Sequence, residues 1–194
     1  MSSAHPRVGV LALQGAVSEH ADILRGLGAS VTLARRPEQL DDLDALVVPG
    51  GESTAIARLA ARVQLLPRVR ECVAAGMPIL GTCAGLILLA DRVIDAGALA
   101  GFDTIGGLDV TVRRNGYGGQ SASFEADVAM ADGSSVPVAF IRAPIIDAVG
   151  ADARVLASLD GAPVAVAQGN IIAASFHPEI TGVTRLHQEL LSLI

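Results

Sequence analysis

The chain contains no lysine; all 14 basic residues among its 194 are arginine. It therefore has no ε-amine for a Schiff base and no lysine for a phosphate-binding P-loop. Any imine chemistry connected with it has to take place on another chain. Aromatic residues are also scarce, at 3%, so the core must be built from Ala, Val, Leu and Ile. That composition suits buried parallel strands covered by helices. Two cysteines, Cys72 and Cys83, are too few for a disulfide framework or a Cys-rich zinc site. There is no basic stripe and the net charge is −6, which argues against a nucleic-acid partner. No apolar run approaches the ~20 residues of a membrane span. The opening "MSSAHPRVGVLALQG" lacks the basic start and long apolar segment of a signal peptide. A reduced, cytoplasmic setting without a membrane or metal is the expectation.

Hydrophobic residues make up 51% of the chain and charged residues 18%, which signals heavy burial. The first half alternates strand and helix signals. "RVGVLALQG", "SVTLARR", "DALVVPGG" and "MPILGT" read as strands. "SEHADILRGLGA", "STAIARLAARVQLL", "PRVRECVAAG" and "AGLILLADRV" read as helices, with Ser53 or Thr54 as a cap for the second and Pro67 starting the third. Such alternation predicts a parallel sheet with helices on both faces. The second half reads as successive strands, with hairpin turns at Asp160-Gly161 and Gly169-Asn170. A last helix lies in "GVTRLHQELLSLI". The expectation is one α/β domain over 1–194, a three-layer sandwich with a mostly parallel central sheet and extra antiparallel strands in the C-terminal half.

Sites in such sheets form at the carboxyl ends of the parallel strands. "LQGA", "PGGEST" and "TCAG" sit there. Cys83 lies between Gly81 and Gly85, two residues from each, where a strand turns into a helix. A thiol at a helix N-terminus is stabilised as thiolate, below its usual pKa of ~8.5. Small flanking residues allow the tight turn, as in a nucleophile elbow. Free cysteine is also often a small buried residue, so from "GTCAG" both readings stand. A thiolate needs a base and an orienting partner. His5 lies near the N-terminus, and His20 and His187 fall on helices, where surface or packing roles are expected. His177 ends a strand, and Glu179, two residues on, leaves the same side of an extended segment. The glycines of "PGGEST" offer backbone amides that suit an oxyanion or a phosphate equally.

Taken together, these pieces resemble the class I, triad-type glutamine amidotransferases. The elbow is Gly81-Thr82-Cys83-Ala84-Gly85 and the late H-P-E is His177-Pro178-Glu179. More narrowly, "LALQGAVSEH", "PGGEST", "RRNGYGGQ…SFEAD" and "FIRAP" are similar to the glutaminase subunits of pyridoxal 5′-phosphate synthases, in family order over nearly the whole chain. The resemblance implies a flavodoxin-like class I amidotransferase fold and hydrolysis of L-glutamine to glutamate and ammonia without a cofactor. It implies Cys83 as nucleophile, His177 as proton shuttle oriented by Glu179, and Gly51 and Ala84 as oxyanion donors. Glutamine-binding positions would be Gly51, Glu52, Ser53, Arg114, Ile141 and Arg142, arginine suiting a carboxylate. Without the resemblance, Arg114 and Arg142 read as surface salt-bridge partners. Gln14 and Gly15 would sense a partner, a (β/α)₈-barrel synthase subunit assembled as twelve of each chain. That partner would use the ammonia with ribose 5-phosphate and glyceraldehyde 3-phosphate. Gly119 and Ala167 stand where the family usually carries basic residues, which bears on partner contacts. The alternatives are a glutaminase of another complex, such as imidazole glycerol phosphate synthase, and a flavodoxin-like cysteine protein of the stress or chaperone type. "PGGEST" with "FIRAP" argues against the first, and "HPE" with Ala84 after the cysteine against the second.

Overall fold

The computed structural model describes residues 5–114, 116 and 123–194. Its first half is β1 (Arg7–Leu11), α1 (Val17–Gly26), β2 (Ser30–Ala34), a 3₁₀ turn (Pro37–Leu40), β3 (Ala45–Val48), α2 (Ser53–Ala61), α3 (Leu65–Ala74), β4 (Ile79–Thr82) and α4 (Ala84–Leu89). There follow β5 (Ala90–Val93), β6 (Leu108–Arg113), β7 (Ser123–Met130), β8 (Ser135–Ile141), β9 (Ile145–Val149), β10 (Arg154–Leu159), β11 (Ala162–Gln168), β12 (Ile171–Ala174) and α5 (Arg185–Leu191).

Nine strands form one sheet in the order β2-β1-β3-β4-β12-β11-β10-β7-β8. The run from β2 to β12 is parallel throughout. From β12 to β8 every neighbour is antiparallel. Only β11 and β7 therefore run against the other strands. The expected hairpins are present at Asp160-Gly161 and Gly169-Asn170. Asp160 and Gly161 have φ of 50° and 82°, the positive pair that a tight hairpin's twist demands.

The central parallel strands β3, β4 and β12 are short and wholly buried, so their side chains divide by parity between two cores. Ala45 and Val47 of β3 join Leu24 of α1 and Leu186 and Leu190 of α5. Leu46 and Val48 face the other way, into Ile56 of α2, Val69 of α3 and Leu86 of α4. These are the three layers. A smaller sheet, β5-β6-β9, lies on the α2–α4 side and contributes Val110, Val112 and Ile146 to that core.

Local chemistry shifts several boundaries. The helix expected over 53–66 breaks, because Gln64 turns left-handed at φ 55°. Pro67 then falls third in α3, still within the turn whose amides need no intrahelical acceptor. Glu52 caps α2 rather than Ser53 or Thr54: its carboxylate accepts the amides of Thr54 at 3.0 Å and Ala55 at 2.7 Å. The helix expected over 84–93 is only six residues long and gives way to β5. β9, in the strand-rich half, has a burial pattern that does not alternate cleanly. Ala167 is buried in β11 at 2% exposure. Gly119 lies outside the described residues.

The elbow glycines are sterically required. A Cβ on Gly85 would stand 2.2 Å from the Val48 carbonyl oxygen, and one on Gly81 would stand 2.7 Å from the Gly85 carbonyl carbon. Backbone atoms cannot swing aside as a flexible side chain does. Gly85→Ala is expected to destabilise the chain by about 2–3 kcal/mol, read as a lower urea midpoint at constant slope; an unchanged midpoint would contradict this packing.

Candidate active site

Cys83 directly follows β4 and adopts φ 49°, ψ −100°, which non-glycine residues rarely tolerate. Such strain persists only where the surroundings over-determine it. Here the Cys83 amide donates to the Ala174 carbonyl of β12 at 2.8 Å, and the two glycines close the turn. α4 begins at the next residue. With only six residues its dipole is short, so the thiol's main electrostatic partner has to be a side chain.

That partner is His177. Thr82 and Ala174 are register partners at the ends of β4 and β12, so the chain leaving β12 passes beside the elbow. The His177 amide donates to Ala139 of β8 at 2.8 Å and anchors the segment. The His177 ring donates through Nδ1 to Glu179 Oε1 at 2.7 Å. Gly50 makes room for it: a Cβ there would lie 2.2 Å from His177 Cε1 and 3.2 Å from Cys83 Cβ. His177 is 7% exposed and Glu179 5%. Burial pushes the His177 pKa down, but hydrogen bonds to Cys83 and Glu179, and their charges, outweigh it and raise it to about 10. Its contribution to stability is full below about 6.5 and is lost as pH rises through about 10.

The remaining expected residues surround this pair. Gly15, Gly51, Glu52, Ser53, Arg114, Ile141 and Arg142 line a cleft of about 260 Å³ with Cys83 and His177. That is the size class of a small metabolite. Arg114 is not the surface residue its sequence context suggested. Its side chain is 11% exposed and donates to Glu52 Oε1 at 3.3 Å and Thr54 Oγ1 at 3.0 Å, while its buried Nε has no partner among the described residues. Burial raises the Glu52 carboxyl's pKa, but the capping amides and Arg114 together bring it below its usual value. Arg142 enters the cleft from a left-handed turn at φ 46°.

The "LQG" loop leans directly on "PGGE". Gln14 Oε1 accepts the Glu52 amide at 2.8 Å, and Ala16 donates to the Gly50 carbonyl at 3.2 Å. Gly15, at φ 104°, tolerates no Cβ, which would stand 1.7 Å from the Gly50 oxygen. The loop thus fixes the peptide that carries the Gly51 amide.

Of the surface and packing roles expected for His20 and His187, the structure shows packing. Both are fully buried and bonded to each other, His20 Nδ1 to His187 Nε2 at 2.8 Å. His20 Nε2 lies 3.1 Å from Thr82 Oγ1 and 3.4 Å from Glu179 Oε2. The available signal was their place on the inward stripes of α1 and α5, beside Ala21, Leu24, Leu186 and Leu190.

A thiol, an imidazole and a carboxylate in sequence beside a Gly-rich turn form a constellation suited to acyl transfer from an amide. A glutamine amidotransferase family model, the SNO family, matches residues 10–193. The pyridoxal 5′-phosphate synthase subunit PdxT of Leifsonia xyli subsp. xyli is 49% identical over 189 residues, 96% of this chain and 94% of that one. The subunit of the same name from Streptomyces avermitilis is 51% identical over 184 residues, 94% and 90% of the two chains. A crystal structure of a glutamine amidotransferase matches with TM-score 0.89 at 43% identity, covering 96% and 97%. The chain belongs to the SNO glutamine amidotransferase family.

The His177 environment is open to direct measurement. In ¹⁵N-edited NMR titrations, its ring should stay charged well above pH 7 and titrate lower in Cys83→Ala, which loses one of the two partners that raise its pKa. Identical titrations in the two proteins would show that Cys83 does not sense the ring.

Proposed function

We propose that the chain is the glutaminase subunit of a pyridoxal 5′-phosphate synthase, acting as one domain over 1–194 and releasing ammonia from L-glutamine for a partner synthase subunit. The observation that carries this reading is the His177 ring, which serves both Cys83 and Glu179 at the floor of a cleft bordered by Arg114 and Arg142. Relatives about half identical over nearly the full chain carry the name of that subunit, which disfavours another amidotransferase complex or a stress protein.

The Cys83 thiolate attacks the side-chain amide carbon of glutamine. The carbonyl electrons move onto oxygen, which the Gly51 and Ala84 amides stabilise; one such donor is typically worth ~3–4 kcal/mol in the transition state. Imidazolium His177 gives its proton to the departing nitrogen, and ammonia leaves a glutamyl thioester. Neutral His177 then takes a proton from water. The hydroxide adds to the thioester carbonyl, the sulfur departs as thiolate, and glutamate is released. Glu179 holds Nδ1 and stabilises the imidazolium. Arg114, Arg142 and Ile141, with Glu52 and Ser53, hold the amino-acid end of the substrate, where an arginine fork matches a carboxylate.

A barrel-shaped synthase, with the lysines this chain lacks, is the partner consistent with the family resemblance, in an assembly of twelve of each subunit in the cytoplasm. Its signal enters through Gln14 and Gly15, which touch the loop bearing Gly51.

Glutamate release from glutamine, measured with and without the synthase subunit, tests this reading. Activity is expected chiefly in the mixture and is abolished by Cys83→Ser; absence of release in the mixture would exclude the proposal. Within the triad, Glu179→Gln is expected to slow turnover less than His177→Asn, and the reverse order would exchange their assigned roles.

A further inference from the structure

Behind Glu179 lies a polar cluster that the triad chemistry does not use. The Glu179 side chain is fully buried, and its Oε1 is taken by His177. Its Oε2 has no hydrogen-bond partner among the described residues. A carboxylate oxygen left without a donor in a dry interior is costly. The group facing it is His20 Nε2, at 3.4 Å. The same Nε2 lies 3.1 Å from Thr82 Oγ1, and that oxygen accepts the Gly50 amide at 3.0 Å. One ring of α1 thus touches the acid of the triad, the residue before the nucleophile, and, through Thr82, the loop before Gly51.

The hydrogen-bond pattern selects a tautomer. With its proton on Nε2, His20 offers a donor to Glu179 and Thr82, and its Nδ1 accepts from His187 Nε2 at 2.8 Å. His187 Nδ1 is then a bare lone pair, in keeping with its lack of a partner among the described residues. The opposite tautomer would aim a lone pair at a carboxylate and strand a buried N–H on His187. Stranded N–H groups are the rarer defect. Both rings stay neutral. Burial lowers the pKa of His187 to about 4, and burial followed by the charges of His187 and His177 lowers that of His20 well below its usual value. The titratable groups facing His20 are therefore His187 from α5 and Glu179 and His177 from the segment after β12.

We infer that His20 is a positioning residue of the glutaminase, donating through Nε2 to the second oxygen of Glu179 and to Thr82, with His187 fixing the tautomer. A neutral donor suits this place. It holds the carboxylate without neutralising it, so the charge of Glu179 remains directed at His177. The inference rests on the triad reading of Cys83, His177 and Glu179.

The test compares His20→Leu with His20→Gln in glutamine hydrolysis by the assembled glutaminase–synthase complex, with Cys83→Ser in parallel. Glutamine at 20 keeps an amide N–H near the position of Nε2; leucine keeps only bulk. His20→Leu is expected to lower kcat by about tenfold or more with KM little changed, because Glu179 no longer holds the base firmly. Its alkaline limb should move to lower pH, since a loosened Glu179 holds the His177 pKa up less. His20→Gln should recover most of the rate and the wild-type alkaline limb. A folded His20→Leu protein with wild-type kcat and alkaline limb, or a His20→Gln protein as slow as His20→Leu, overturns the inference. If thermal unfolding shows that His20→Leu does not fold, His20→Asn replaces it: its amide ends near Nδ1, short of Glu179. A slow Asn variant beside a fast Gln variant supports the inference, and equal rates overturn it. Wild-type activity in Cys83→Ser would remove the triad reading itself, an outcome separate from any result at His20.

Discussion

The pairing of β4 with β12 is the constraint on which the site depends. These strands come from distant parts of the chain and lie side by side in parallel, with Thr82 opposite Ala174. Cys83 leaves one strand and His177 follows the other, so their meeting is a matter of register. The bond from the Cys83 amide to Ala174 extends that register one residue past the strand and holds the thiol in its strained turn. A slip of one residue would turn His177 to the opposite face of the sheet. Completely buried strands make such a slip expensive, because each side chain is fitted to one of two cores.

The charge pattern follows from this arrangement. Three buried histidines lie within one connected network and are treated differently. His177, between a thiol and a carboxylate, is raised in pKa. His20 and His187, facing mainly each other in a dry core, are lowered. The positive charge thus sits on the ring between Cys83 and Glu179, with no competing cation behind Glu179. On the other side of the cleft, the Glu52 cap joins the start of α2 to Arg114, while Gln14 holds the Glu52 amide. The loop expected to face the partner, the turn bearing Gly51 and a cleft-lining arginine are thereby one hydrogen-bonded unit.

The parallel half of the fold is readable from short apolar runs ended by glycine, because buried strands and elbow turns leave strong local signals. Gly81, Cys83, Gly85 and the His177–Glu179 spacing are readable for the same reason. The break at Gln64 and the strand β5 are decided by tertiary packing, and β9 lacks the alternation that marks a half-buried strand. Glu52 was visible as a polar residue before a helix, but its role as cap required the loop's geometry. His20 and His187 were least legible. A histidine on an amphipathic helix gives no sign of what it meets, and only the packing of α1 and α5 on one face brings these two behind the acid.

The central claim is that Cys83 carries the glutamyl group between ammonia release and hydrolysis. Acid-quenching the glutaminase–synthase complex during turnover, followed by intact-mass and peptide-mass measurement, tests it most directly. The account predicts a glutamyl adduct on the peptide containing Cys83, trapped as a thioester and absent from the Cys83→Ser protein. An adduct on a different residue would contradict it, as would undiminished glutamate release by Cys83→Ser.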